Sequence, residues 1–126
     1  MKVPVRIYVV DDDPSARKGL TRLLLAAGHD VRDFASANEF LDALDHDVPG
    51  CLVLDARMPG MTGEELHAEL QARDIHLPII VITAFDESAT RKQAQKMGAV
   101  AFFRKPVDGT ALLDTIEWVL RRDNYR

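Results

Sequence analysis

Four short, unbroken apolar runs punctuate the chain: Ile7-Tyr8-Val9-Val10, Cys51-Leu52-Val53-Leu54, Ile79-Ile80-Val81-Ile82 and Ala101-Phe102-Phe103. Runs this short, rich in β-branched and aromatic residues, predict strands covered on both faces, as in a parallel sheet. Val31 to Phe34 is weaker because Arg32 and Asp33 interrupt it, and this predicts an edge strand. Helical spacing and helix punctuation fill the intervals. Asp13-Pro14 predicts an N-cap followed by proline in the first turn. Leu20, Leu23, Leu24 and Ala27 then share a face, and Gly28 can end the helix. Ser36 with Glu39 and Thr62 with Glu65 fit capping boxes. Asp86 could cap a helix ending at Gly98. Asp108 could cap a last helix with Leu112, Leu113, Ile116, Val119 and Leu120 inward. The order is strand then helix, five times. With right-handed crossovers this predicts an α/β, doubly wound (βα)5 parallel sheet with helices on both faces.

Length and charge narrow the picture. A chain of 126 residues predicts one domain spanning 1–126. Sixteen basic against twenty acidic residues give a net charge of −4. That argues against a domain built to grip nucleic-acid phosphates. The lone Cys51 excludes an internal disulfide and a cysteine zinc cluster. No apolar run approaches the roughly 20 residues of a membrane span. Ile7 to Val10 is too short for a signal peptide and stops at three aspartates. A reducing, cytoplasmic compartment is expected.

In such sheets ligands bind beyond the carboxyl ends of the strands. The first strand runs into Asp11, Asp12 and Asp13, the third into Asp55, the fourth into Thr83, and the fifth into Arg104-Lys105-Pro106. Several carboxylates, a hydroxyl and an ammonium thus converge from four distant segments. Two carboxylates about 4 Å apart repel by roughly 4 kcal/mol at an effective dielectric of 20. A hard divalent cation such as Mg2+ would offset this, with one or two carboxylates, waters and phosphate oxygens as ligands. Lys105 adds a compensating charge suited to phosphate. A carboxylate in that setting is a plausible nucleophile toward phosphorus.

The stretches Val9-Val10-Asp11-Asp12-Asp13, Leu54-Asp55-Ala56-Arg57-Met58-Pro59-Gly60-Met61-Thr62-Gly63, Ile82-Thr83-Ala84 and Lys105-Pro106 together resemble the receiver domains of two-component response regulators. The resemblance covers the chain from about Val5 to Arg122, and the four motifs share the family's order and spacing. It implies a flavodoxin-like strand order, 2-1-3-4-5. It also implies that Asp55 is the phosphoacceptor and that Asp11 and Asp12 hold Mg2+, with the Arg57 carbonyl as a further protein ligand. Thr83 resembles the switch hydroxyl, and Lys105 the lysine that pairs with the phosphoryl group across a cis Lys105–Pro106 peptide. Phe102 stands at the aromatic switch position, where some members have tyrosine. The implied partner is a sensor histidine kinase or phosphotransfer protein. The implied output is a changed surface of the fourth helix, fifth strand and fifth helix, and that surface is expected either to form a homodimer on phosphorylation or to meet a target. The wording around Asp55 is most like members that carry a helix-turn-helix output domain, so the chain is either a stand-alone receiver or part of a longer regulator.

Plainer readings stand beside these. Asp13 is better explained as a cap than as a ligand. Cys51 reads as a small buried hydrophobe. His29, His46, His67 and His76 lack ligand spacing and read as surface or helix-end residues, so the chain looks like a phosphoryl acceptor and not a donor. Glu64, Glu65 and Glu69 read as a solvated helix face. Asp11-Asp12-Asp13-Pro14-Ser15 weakly matches the D-x-D-x-[T/V] loop of haloacid-dehalogenase-type phosphohydrolases, in which Asp11 would be the nucleophile. An interaction module that never uses phosphorylation is a third reading, which the full set of acidic pair, acceptor, hydroxyl and lysine opposes. Direct DNA binding and membrane association are not expected.

Overall fold

The computed structural model describes residues 5–44, 49–56, 60–84 and 88–124. Its elements alternate as the apolar pattern predicts. They are β1 (Arg6–Val10), α1 (Pro14–Ala26), β2 (Asp30–Phe34), α2 (Ala37–Ala43), β3 (Gly50–Asp55), α3 (Gly63–Ala72), β4 (Ile79–Thr83), α4 (Ser88–Lys96), β5 (Ala101–Arg104) and α5 (Gly109–Asn124). All pairings are parallel, and the strand order is β2-β1-β3-β4-β5. The interrupted strand, β2, lies at one edge, where Arg32 and Asp33 stay exposed. Among the described residues no helix is long and apolar enough to cross a membrane.

The unbroken apolar runs follow from two cores. Successive strand side chains point to opposite faces. Tyr8, Val10, Leu52, Leu54, Ile79 and Val81 therefore pack with Phe40 and Leu41 of α2, Leu66 and Leu70 of α3, and Ala94 of α4. Ile7, Val9, Cys51, Val53, Ile80 and Ile82 pack on the other face with Leu20 and Leu24 of α1 and Leu112, Ile116 and Val119 of α5.

Local chemistry sets most helix ends. Asp13 accepts a hydrogen bond from the Ser15 N–H and caps α1, while Pro14 begins the helix. Thr62 and Glu65 form a complete capping box at α3. At α2 the box is shifted: Ser36 accepts from the Glu39 N–H, but the Glu39 carboxylate accepts from Ala35, not from the cap residue. Asp108 accepts from the Ala111 N–H at the start of α5. Gly28 and Gly98 take the left-handed conformation that follows α1 and α4. Ala27 does not join the buried face of α1, because the helix has ended and it is exposed. The proposed Asp86 cap and His46 lie outside the described residues.

Candidate functional site

Every strand except β2 delivers a polar group to the carboxyl edge of the sheet. Asp11 follows β1 directly and is fully buried, whereas Asp12 is exposed. Asp55 is the last residue of β3 and is 6% exposed. Thr83 is the last residue of β4 and is fully buried. Lys105 follows β5, its N–H donating to the Thr83 carbonyl at 2.7 Å. The Lys105–Pro106 peptide is cis. Single carboxylate oxygens of Asp11, Asp12 and Asp55 all lie within 4.8 Å of one another.

The Lys105 ammonium holds this cluster together. It donates to Asp11 Oδ2 at 2.9 Å and to Asp55 Oδ2 at 3.3 Å. Burial, the largest single influence, pulls its pKa down. The hydrogen bond donated to Asp11 and the charges of Asp55 and Asp11 together outweigh burial, and the ammonium is held above the ordinary lysine value. It therefore stays charged through neutral pH. Asp11 Oδ1 accepts from the Asp13 N–H at 3.0 Å. Each pair of carboxylates repels by roughly 3–4 kcal/mol at this spacing and an effective dielectric of 20, and one ammonium compensates one charge of three. The donor set is all oxygen and net anionic, which fits a hard divalent cation. Arg57, whose carbonyl the family resemblance implies as a further ligand, lies outside the described residues.

Register explains how Thr83 relates to the aromatic position. Thr83 is paired with Arg104 and Val81 with Phe102. Thr83 and Phe102 therefore project from the same face of adjacent strands, one step of the side-chain alternation apart. The Phe102 ring is half-buried against the α2–α3–α4 core and carries the Arg91 guanidinium of α4 5.1 Å above its centroid. The spacing pattern did not single out Arg91, because a lone arginine on an exposed helix face has no distinguishing signal.

The remaining readings are simple. Cys51 is fully buried. His76 is exposed beside Asp74, and His29 and His67 are partly exposed. Glu65 belongs to the α3 cap and Glu69 pairs with Arg73, so only Glu64 remains as a plainly solvated acid.

The model of the response regulator receiver domain family matches residues 7–117. Nodulation protein W of Bradyrhizobium diazoefficiens is 42% identical over 120 residues, covering 95% of this chain and 53% of that protein. The transcriptional regulatory protein FixJ of Azorhizobium caulinodans is 40% identical over 119 residues, covering 92% and 55%. The crystal structure of FixJ-N superposes with a TM-score of 0.81 at 39% identity and covers 93% of each chain. The chain thus spans about half the length of the curated relatives it matches. Motif, fold and family model agree across almost all of the sequence, and the chain belongs to the receiver domains of two-component response regulators.

Proposed function

We propose that this receiver domain is the phosphorylation-dependent switch of a two-component system and takes its phosphoryl group from a histidine kinase or phosphotransfer protein. In this reading residues 1–126 form a single such domain and Asp55 is its acceptor. The observation that carries this reading is the Lys105 ammonium bridging Asp11 and Asp55, with Asp12 in the same cluster. Asp11 is closed off from solvent and already holds two hydrogen bonds, whereas Asp55 keeps some exposure. That difference favours Asp55 over Asp11 as nucleophile, and so favours the switch over the phosphohydrolase.

An Asp55 carboxylate oxygen attacks the phosphorus of a partner's phosphohistidine. The P–O bond forms as the P–N bond breaks, and the imidazole leaves with the bonding pair and takes a proton. Lys105 balances charge on the transferred group, and Thr83 offers its hydroxyl from the adjoining strand. Asp11, Asp12 and Asp55, with the Arg57 carbonyl, would hold Mg2+, which would neutralise the carboxylates and the incoming phosphoryl charge. The domain promotes its own phosphorylation and dephosphorylation and turns over no separate substrate.

Thr83 turning toward the phosphoryl group vacates space on the face it shares with Phe102. The ring then rotates inward and alters the surface of α4, β5 and α5, where a recess of about 160 Å³ lies between Arg91, Ala94 and Phe102. A few kcal/mol between two arrangements is enough for phosphorylation to reverse their populations. The altered surface dimerises with a second copy or meets a target. The domain works in the cytoplasm without binding nucleic acid or membrane itself. The test is to incubate the protein with a small acyl phosphate and Mg2+ and map the labelled residue. Label on Asp55 is expected, and label on Asp11 would overturn the reading.

A further inference from the structure

Asp12 contributes one of the three clustered carboxylates, yet among the described residues its side chain makes no hydrogen bond or ion pair. Its place is inherited from the backbone on either side. The backbone of Asp11 is held on both sides. The Asp11 N–H donates to the Phe34 carbonyl at the end of β2, at 3.1 Å. The Asp11 carbonyl accepts from Arg17 Nη1 at 2.8 Å. Arg17 lies one turn into α1, its side chain is 17% exposed, and its Nε pairs with Asp33 Oδ2 of β2 at 3.2 Å. The guanidinium fork thus spans from β2 to the peptide joining Asp11 to Asp12.

We infer that Arg17, anchored by Asp33, is a positioning residue that orients the Asp11–Asp12 peptide and through it the metal-binding carboxylates. The inference rests on the reading of Asp11, Asp12 and Asp55 as the Mg2+ site. A planar fork suits this task because it can engage a carbonyl and a carboxylate at once in a fixed geometry. A lysine carries the same charge but has no fork. Outer residues that orient metal ligands commonly matter nearly as much as the ligands themselves.

Charge and geometry predict opposite signs. Arg17 is a cation near a cation site, so as a charge alone its removal would tighten Mg2+ binding. As a positioning residue its removal loosens the peptide and weakens binding. The experiment titrates Mg2+ alone into wild type, Arg17→Met, Arg17→Lys and Asp33→Asn, reading amide shifts at Asp55 and Thr83. Thermal melts establish that each variant is folded at the temperature used. About tenfold weaker binding is expected for both Arg17 variants, with a smaller loss for Asp33→Asn. In labelling by acetyl phosphate, the loss falls on the Mg2+ concentration needed for half-maximal rate more than on the maximal rate. Unchanged or tighter binding in folded Arg17→Met overturns the inference and leaves the site reading intact, as does Arg17→Lys binding like wild type. A wild-type protein whose Asp55 amide ignores Mg2+ overturns both.

Discussion

Replacing Lys105 by methionine removes the ammonium and keeps most of the apolar stem. In the metal-free protein this leaves Asp11 fully buried with its main compensating charge gone. At separations of 2.9 and 3.3 Å, the attractions to Asp11 and Asp55 are about 6 and 5 kcal/mol at an effective dielectric of 20. Desolvation cancels much of that, and breaking a buried pair from one side typically costs about 3–5 kcal/mol. The Lys105 side chain keeps 20% exposure, which places the loss lower, at about 2–3 kcal/mol. For a domain of this size that is a fall in Tm of about 8–12 °C. Mg2+ should stabilise Lys105→Met more than it stabilises wild type. It meets a more anionic site in Lys105→Met and binds it more tightly, and saturation to one hundred times Kd adds about 2.7 kcal/mol. The assay is thermal and urea unfolding by circular dichroism, in EDTA and in Mg2+. An unchanged Tm in EDTA would refute the account of Lys105 as the cluster's counter-charge. A smaller Mg2+ gain than wild type would refute its competition with the metal.

Asp55→Asn should abolish acyl-phosphate labelling, since an amide is not a nucleophile here; labelling of another aspartate as efficient as wild type would remove Asp55 from the acceptor role. Asp12→Asn should weaken Mg2+ binding yet leave metal-free stability unchanged or slightly higher, because an exposed repulsive charge is lost; a lower metal-free Tm would contradict this. Thr83→Ala should still be phosphorylated but pass less of the change to α4, so hydrogen exchange there should respond less to a phosphoryl mimic than in wild type. Gly50→Ala should destabilise by about 2 kcal/mol or more, because a Cβ there would collide with the Arg6 carbonyl of β1; a urea midpoint near wild type would show that the β1–β3 pairing can shift.

The elements and the chemistry at their ends can be read from the chain's local patterns. Ile7–Val10 and Ile79–Ile82 read as strands because both faces of a parallel sheet are covered, so neither face tolerates polar residues. Asp13-Pro14, Thr62 with Glu65, and Asp108 read as helix starts because a cap is satisfied within three residues of itself. Asp11, Asp12, Asp55, Thr83 and Lys105 were legible together because parallel strands bring all their carboxyl ends to one edge. Contacts that cross between elements emerge only once the chain is folded. The clean alternation of Tyr8 and Val10 against Ile7 and Val9 between two cores is invisible in a continuous apolar run. Gly50 carries no local signal of its constraint, which arises when strand register brings the Arg6 carbonyl against it. Arg17 and Asp33 are sixteen positions apart with no local pattern linking them, and only the packing of α1 beside β2 joins them. Periodicity and capping are written over a few neighbouring residues, whereas these contacts depend on helix rotation and strand register, which the whole core sets at once.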